Sequence, residues 1–272
     1  MYRRLPQAVL SGVLVVAFAG TTAWATTTTT TTAGTAPAPG VAAGCGADAT
    51  AQGLASTALP NTLLETPRSD GRTEQFQQFY DSSAASLLPF VWHRSQDAPG
   101  GAYGGWERVS ATPVGPKLYQ VSAVENGAGA LEVFFASYGG FCHTVLPAPG
   151  GSWTPTENFE LSPPPYHGGL TLFRERDGRL HAFASGAGTN AAMEVRSQDV
   201  DAQDSWGPVR QLPRLPDPNA GLGAPTSIVQ LPDGRLRVTV REWNRDRSWR
   251  TTEVDRFVSW EPWQLCADST CA

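Results

Sequence analysis

Four histidines, His93, His143, His167 and His181, are the chain's candidates for proton transfer or metal ligation. His93 and His143 stand in the related stretches HRSQDAPGGAYGGW (93–106) and HTVLPAPGGSW (143–153), so they fill equivalent positions of a repeat and do not make a ligand pair. The sequence holds no His-Glu-x-x-His, no Gly-x-Ser-x-Gly and no phosphate loop. No Cys-x-x-Cys spacing supports zinc. Glycoside hydrolysis requires two carboxylates opposed across about 5–10 Å. Asp70, Asp177 and Asp233 sit instead in repeated Asp-Gly-Arg turn signals, where a structural role is expected. DVDAQD (199–204) lacks the glycine and the distant glutamate of a calcium loop, and its counterpart EVDRFV (253–258) keeps no such site. No catalytic constellation, metal or cofactor is expected.

Sugar recognition fits the residue types better. It combines an aromatic platform with a few fixed polar groups in a concave setting. Trp92, Tyr166, His167, Trp243 and Trp249 lie outside the repeated tryptophan positions and are the candidate ligand contacts. Arg196 and Arg250 fall at one place in a gapless alignment of VRSQDVDAQDSW (195–206) with WRTTEVDRFVSW (249–260), and could form forks to hydroxyls. PPPYHGG (163–169) is expected as a ligand loop between the second and third repeats.

The elements that position these residues repeat through the chain. LTLFRERDGRLHAF (170–183) and SIVQLPDGRLRVTV (227–240) each read as strand, tight turn and strand. Asp-Gly between alternating apolar residues is a strong hairpin signal, because glycine accepts the positive φ that the turn demands. LLETPRSDGRTEQF (63–76) and YQVSAVENGAGALEVFF (119–135) are more divergent copies. Trp106, Trp153, Trp206 and Trp260 close the copies at spacings of 47, 53 and 54 residues. A four-fold repeat of short strands without helical periodicity predicts an all-β fold, a β-propeller of about four four-stranded blades. The repeated tryptophans are expected as core between blades.

Asp-Gly-Arg-Leu, a Leu-x-Val-Phe strand, a histidine-bearing strand, Ala-Pro-Gly-Gly and a closing tryptophan resemble the PLL-like bacterial lectin propellers, over residues 61–265. SWEPW (259–263) is similar to their paired-tryptophan blade ending. RSQD…W, with Ser95/Asp97 and Ser197/Asp199, is more distantly similar to the Asp-box of sialidase-type propellers. The first resemblance implies carbohydrate binding. PLL-like lectins generally have more blades than four, so a cryptic fifth blade or one shared between chains stays open. An N-terminal strand held by Cys45 could also complete the last blade.

Residues 1–25 read as a signal peptide, with Arg3 and Arg4 before an apolar run and Ala23-Trp24-Ala25 as the cleavage site. Residues 26–60, beginning with seven threonines, read as a flexible arm, and residues 61–272 as the propeller. Without Arg3 and Arg4 the formal charge moves from −5 to −7, which argues against a nucleic-acid partner, and no membrane span is expected in the mature chain. Export makes disulfides plausible for Cys45, Cys142, Cys266 and Cys271, with the pairing open. A bond from Cys45 to a C-terminal cysteine would fasten the two ends; Cys266 to Cys271 would close a small loop. The expected function is a secreted, non-catalytic, lectin-like propeller that binds glycans or glycosylated surfaces. The alternatives are an adaptor joining a secreted partner protein through residues 26–60, and a sialidase-like glycoside hydrolase.

Overall fold

The computed structural model describes residues 45, 55–60, 62–81, 89–110, 114, 121–137, 140–162, 170–185, 192–199, 205–243, 245–256, 258–267 and 271. The first blade comprises β1 (Ala55–Ala58), β2 (Leu64–Pro67), β3 (Thr73–Asp81), β4 (Pro89–Ser95) and β5 (Glu107–Arg108). The second comprises β6 (Ser122–Glu125), β7 (Leu131–Ser137), β8 (Gly140–Leu146) and β9 (Glu157–Asn158). The third comprises β10 (Leu170–Arg174), β11 (Leu180–Ser185), β12 (Met193–Ser197) and β13 (Arg210–Gln211). The fourth comprises β14 (Leu222–Gln230), β15 (Leu236–Glu242), β16 (Ser248–Asp255), β17 (Ser259–Trp260) and β18 (Gln264–Leu265).

Each sheet is an antiparallel meander in chain order. In the first blade β1 and β2 pair with opposite halves of β3, and in the last β17 and β18 both pair with β16, so every blade is four strands wide. The fold is the expected all-β, four-bladed propeller. Among the described residues no helix is long and apolar enough to cross a membrane. The signal-peptide segment lies outside the described residues. The first blade begins at Ala55, inside the segment expected to be a flexible arm, because β1 finds a partner in β3.

The hairpins that open the four blades share one geometry. The first residue of each turn donates its N–H four residues on, from Arg68 to Arg72, Asn126 to Ala130, Glu175 to Arg179 and Leu231 to Arg235. The fourth residue is a glycine at φ between 83° and 92°, a region that side-chain-bearing residues rarely adopt. Asp70, Asp177 and Asp233 each accept the N–H two residues on and pair with the arginine there. These bonds close each hairpin turn on itself.

Side chains alternate along each strand, so one blade face turns to the preceding blade and the other to the next. Phe76 and Val91 of the first blade pack on Val133, Phe135 and Cys142 of the second. Phe134 and Phe141 of the second pack on Ala182 and Ala184 of the third, and Phe183 and Val195 of the third on Val238 and Val240 of the fourth. The closing tryptophans cross these seams backwards. Trp153 lies 6.3 Å from Phe76 and 5.1 Å from His93, Trp206 lies 5.6 Å from Phe134, and Trp260 lies 6.3 Å from Phe183. Trp106 packs instead on Phe79 of its own sheet, at 4.9 Å.

Buried carboxylates hold the same seams. Glu132 accepts from His143 (2.9 Å) and Asn126 (2.8 Å) in its own blade, and from Trp206 (2.9 Å) and Gln198 in the next. Glu175 accepts from His181 (2.6 Å), and from Gln230 (2.8 Å) and Arg256 of the fourth blade. Burying a carboxylate is costly unless it is hydrogen-bonded, and these receive donors from both sides of a seam.

One register detail departs from the sequence reading. Gln96, Gln198 and Glu253 each accept the N–H of the residue that opens the second strand, Thr73 (2.9 Å), Leu180 (3.2 Å) and Leu236 (2.8 Å). Glu253 lies 55 residues after Gln198, whereas the closing tryptophans are 54 apart, so the gapless alignment slips by one residue. Arg196 stands opposite Ala182 and Arg250 opposite Thr239, so these arginines occupy opposite blade faces and are not equivalent.

The disulfides are Cys45–Cys142 and Cys266–Cys271, each with Cα atoms 5.5 Å apart. Cys45 therefore does not reach the C-terminal cysteines or hold a strand on the last blade. It is buried between the first two blades, against β8. Cys266 and Cys271 close the small loop.

Two outcomes follow. Loop-closure entropy grows with loop length, and the separations are 97 and 5 residues. Replacing both Cys45 and Cys142 by serine should therefore cost about 4–5 kcal/mol, and the Cys266/Cys271 pair about 2 kcal/mol, in urea unfolding. Burial opposes charge on His143, but hydrogen bonds to Glu132 and Glu157 outweigh it and raise the imidazole pKa above 6.5. The stability this contributes is fully present below pH 6.5 and is lost as pH rises through the raised value. His143→Gln should thus lose more unfolding free energy relative to the parent at pH 5.5 than at pH 8.5.

Candidate functional site

The Asp-Gly-type hairpins leave one end of every blade. The connections from second to third strand, and from one blade to the next, leave the other end. On the last blade two such connections meet: residues 212–221, between β13 and β14, and residues 243–247, between β15 and β16. The second connection, with β14 and β15, borders a cleft of about 550 Å³ lined by Gly223, Ala224, Arg241, Glu242, Trp243, Arg245 and Asp246.

Trp243 forms one wall and is 55% exposed. Its backbone N–H donates to Gly221 O (3.1 Å), and a Cβ on Gly221 would collide with the indole Nε1. Only glycine lets this ring lie flat against the start of β14. Glu242 sits beneath it, buried at the end of β15, accepting from Trp249 Nε1 (2.6 Å) and paired with Arg247 Nε (2.7 Å). Asp246 stands on the rim, 90% exposed, and pairs with Arg241 (2.7 Å).

Asp217, from the connection between blades, pairs with Arg245 and with Arg247 (3.1 Å). The Asn219 N–H together with these two guanidinium groups lowers the Asp217 pKa to about 2. Bonds to Glu242 and Asp217 raise the Arg247 pKa in turn. The result is a chain, Arg245–Asp217–Arg247–Glu242–Trp249, that fixes the buried carboxylate while Trp243, Arg241 and Asp246 stay open to solvent.

The seven sequence candidates scatter. Trp243 lines the cleft and Trp249 supports it from below, buried against Val240 and orienting Glu242. Trp92 is buried in the first blade with Phe79 and Phe90. Arg196 donates to three backbone carbonyls, Gly207 (2.7 Å), Phe159 (3.1 Å) and Trp206 (3.2 Å), and so clasps the third blade to the second. Arg250 is exposed beside Gln264. Tyr166 and His167 lie outside the described residues. Sequence reading missed Asp217, Arg241, Glu242, Arg245, Asp246 and Arg247. The available signal was local charge density, since REWNRDRSWR (241–250) packs four arginines into ten residues.

No family model matches the sequence, and no curated protein matches it. Solved structures do. A Dyadobacter fermentans DSM 18053 protein of unknown function gives a TM-score of 0.51 at 12% identity, over 80% of this chain and 72% of that one. The GH93 α-L-arabinofuranosidase of Fusarium graminearum gives 0.47 at 13%, over 79% and 69%. The NanB sialidase of Streptococcus pneumoniae gives 0.47 at 11%, over 81% and 53%. Likeness at such identity shows the architecture, and it supports the propeller and not the PLL-like lectin. The expected lectin-like, non-catalytic chain finds no counterpart among these solved structures, several of which are arabinofuranosidases, sialidases or an endo-arabinase.

The two cleft tryptophans should behave oppositely. Trp249→Phe keeps most of the ring but removes the donor to buried Glu242, and should cost about 1–3 kcal/mol. Trp243→Ala, at an exposed ring, should change stability by less than about 0.5 kcal/mol. Equilibrium urea unfolding of both variants measures the contrast.

Proposed function

We propose that the chain is a carbohydrate-active propeller, a glycoside hydrolase whose site is the cleft at the end of the last blade. The observation that carries this reading is one cleft with an exposed indole and two carboxylates in contrasting settings. Glu242 is buried and oriented by two donors, whereas Asp246 is open to water. Paired carboxylates in different environments are what glycosidic hydrolysis divides its two roles between.

A sugar ring laid on Trp243 would present its C–H face to the indole and its hydroxyls to Arg241 and Arg245. Glu242, buried beneath the indole, would stabilise the positive charge developing at the anomeric carbon through its field. Asp246, in contact with solvent, exchanges the proton. The bond from the anomeric carbon to the leaving oxygen breaks, that oxygen takes a proton, and water supplies the new hydroxyl on the sugar. Asp217 and Arg247 position Glu242 without touching substrate.

We read the protein as extracellular. A basic start and an apolar run precede Ala23-Trp24-Ala25, and two disulfides of the kind that persist in oxidising compartments follow. The mature chain would begin near Thr26.

Purified protein should be assayed against aryl glycosides that include α-L-arabinofuranosides and sialosides. Turnover of at least one is expected, reduced about 100-fold or more in Glu242→Gln and Asp246→Asn, with KM raised in Trp243→Ala. Absence of turnover across the panel by folded protein, or turnover untouched by both carboxylate changes, overturns the reading.

A further inference from the structure

The outward face of the last blade differs in kind from its counterparts. In the first three blades the face turned to the next blade carries Phe76 opposite His93, Phe134 opposite His143 and Phe183 opposite Val195. In the fourth the matching pair is Thr239 opposite Arg250. On β15 the residues two before and two after Thr239 are Arg237 and Arg241. None of the hydrophobic clusters of described residues joins the fourth blade to the first. Cys271 lies on this face instead, with Thr239 Oγ1 donating to its carbonyl oxygen (2.9 Å). A surface that ends a stack of repeats is expected to be polar. Solvation alone, however, does not call for three arginines set together.

Their partners are sparse. Arg241 meets Asp246, and among the described residues Arg250 reaches Gln264, at 3.4–3.5 Å. Arg237 forms no ion pair with a described residue, and its Nε is buried without a hydrogen-bond partner. Strand geometry spaces Arg237 and Arg241 by roughly 13 Å, with Arg250 beside the midpoint. This is a sheet face of separated guanidinium groups on a chain whose net charge is −5.

We propose that this face binds an anionic polysaccharide, with Arg237 and Arg250 pairing with carboxylate or sulfate groups spaced by whole sugar rings. A guanidinium fork suits both groups. Duplex nucleic acid carries one charge per about 1.7 Å of axis, far denser than these arginines. The inference is independent of hydrolysis in the cleft, since neither residue lines it.

The test measures binding of the full chain to immobilised polygalacturonate and dextran sulfate, with neutral dextran and duplex DNA as controls. Binding to an anionic polymer that weakens with salt, and falls about threefold to tenfold in Arg237→Ala/Arg250→Ala, is expected. Aryl-glycoside turnover should not change in that variant. Arg237 is half-buried, so the exposed change Arg250→Glu, which should also weaken binding, guards against misfolding of the double variant. Equal retention of dextran, no binding to either anionic polymer, binding indifferent to Arg250→Glu, or tighter binding of DNA would each overturn the proposal.

Discussion

The sheets of the second and third blades each leave two apolar faces, and neither can be buried within one blade. The seam between consecutive blades resolves this, and everything else in the molecule is arranged around it. At the seam between the second and third blades, Phe134 and Phe141 meet Ala182 and Ala184 while Trp206 reaches back to lie against Phe134. The indole N–H of the same tryptophan ends on Glu132. A ring that contributes roughly 150–250 Å² of burial is thereby locked in orientation by a carboxylate that could not be buried alone. Apolar area supplies the attraction; Glu132 and its donors supply the register.

The same logic, displaced to the open end of the last blade, builds the cleft. Glu242 is another buried carboxylate at a strand end, again satisfied by an indole N–H and a cation. What differs is the surroundings. The seam carboxylates are covered by the next blade, whereas Glu242 borders a space walled by Trp243 and opened by Gly221. A structural device of the propeller thus recurs beside an open cleft, on the blade face that Glu242 shares with Val238 and Val240.

Much of the frame was legible in the residues because it rests on local chemistry. The Asp-Gly-Arg turns announce themselves, since only glycine accepts the fourth position and the aspartate closes on the residue two ahead. The closing tryptophans were readable because nothing else in the pattern is so large and so regularly spaced. The register of the last blade was not, for Glu253 substitutes for Gln198 one residue out of step, and only the strand ladder reveals that offset. The partner of Cys45 was likewise hidden, being fixed by how two blades stack. The cleft escaped notice because it unites Asp217 with residues some thirty positions later, while each arginine there reads from sequence as one more solvated charge. Trp92 and Trp249 resembled free aromatics for the complementary reason: burial of an individual ring depends on neighbours that the repeat pattern does not name.

The bond between Cys45 and Cys142 spans 97 residues and encloses the whole first blade together with the first two strands of the second. The chain there is a covalent ring. A single peptide cut anywhere from residue 46 to residue 141 leaves one molecule, not two fragments, and the severed ends remain side by side. Tension applied through the N-terminal segment passes directly into β8 and bypasses β1 to β7. The first blade is thus shielded from the force that would peel it away from the second.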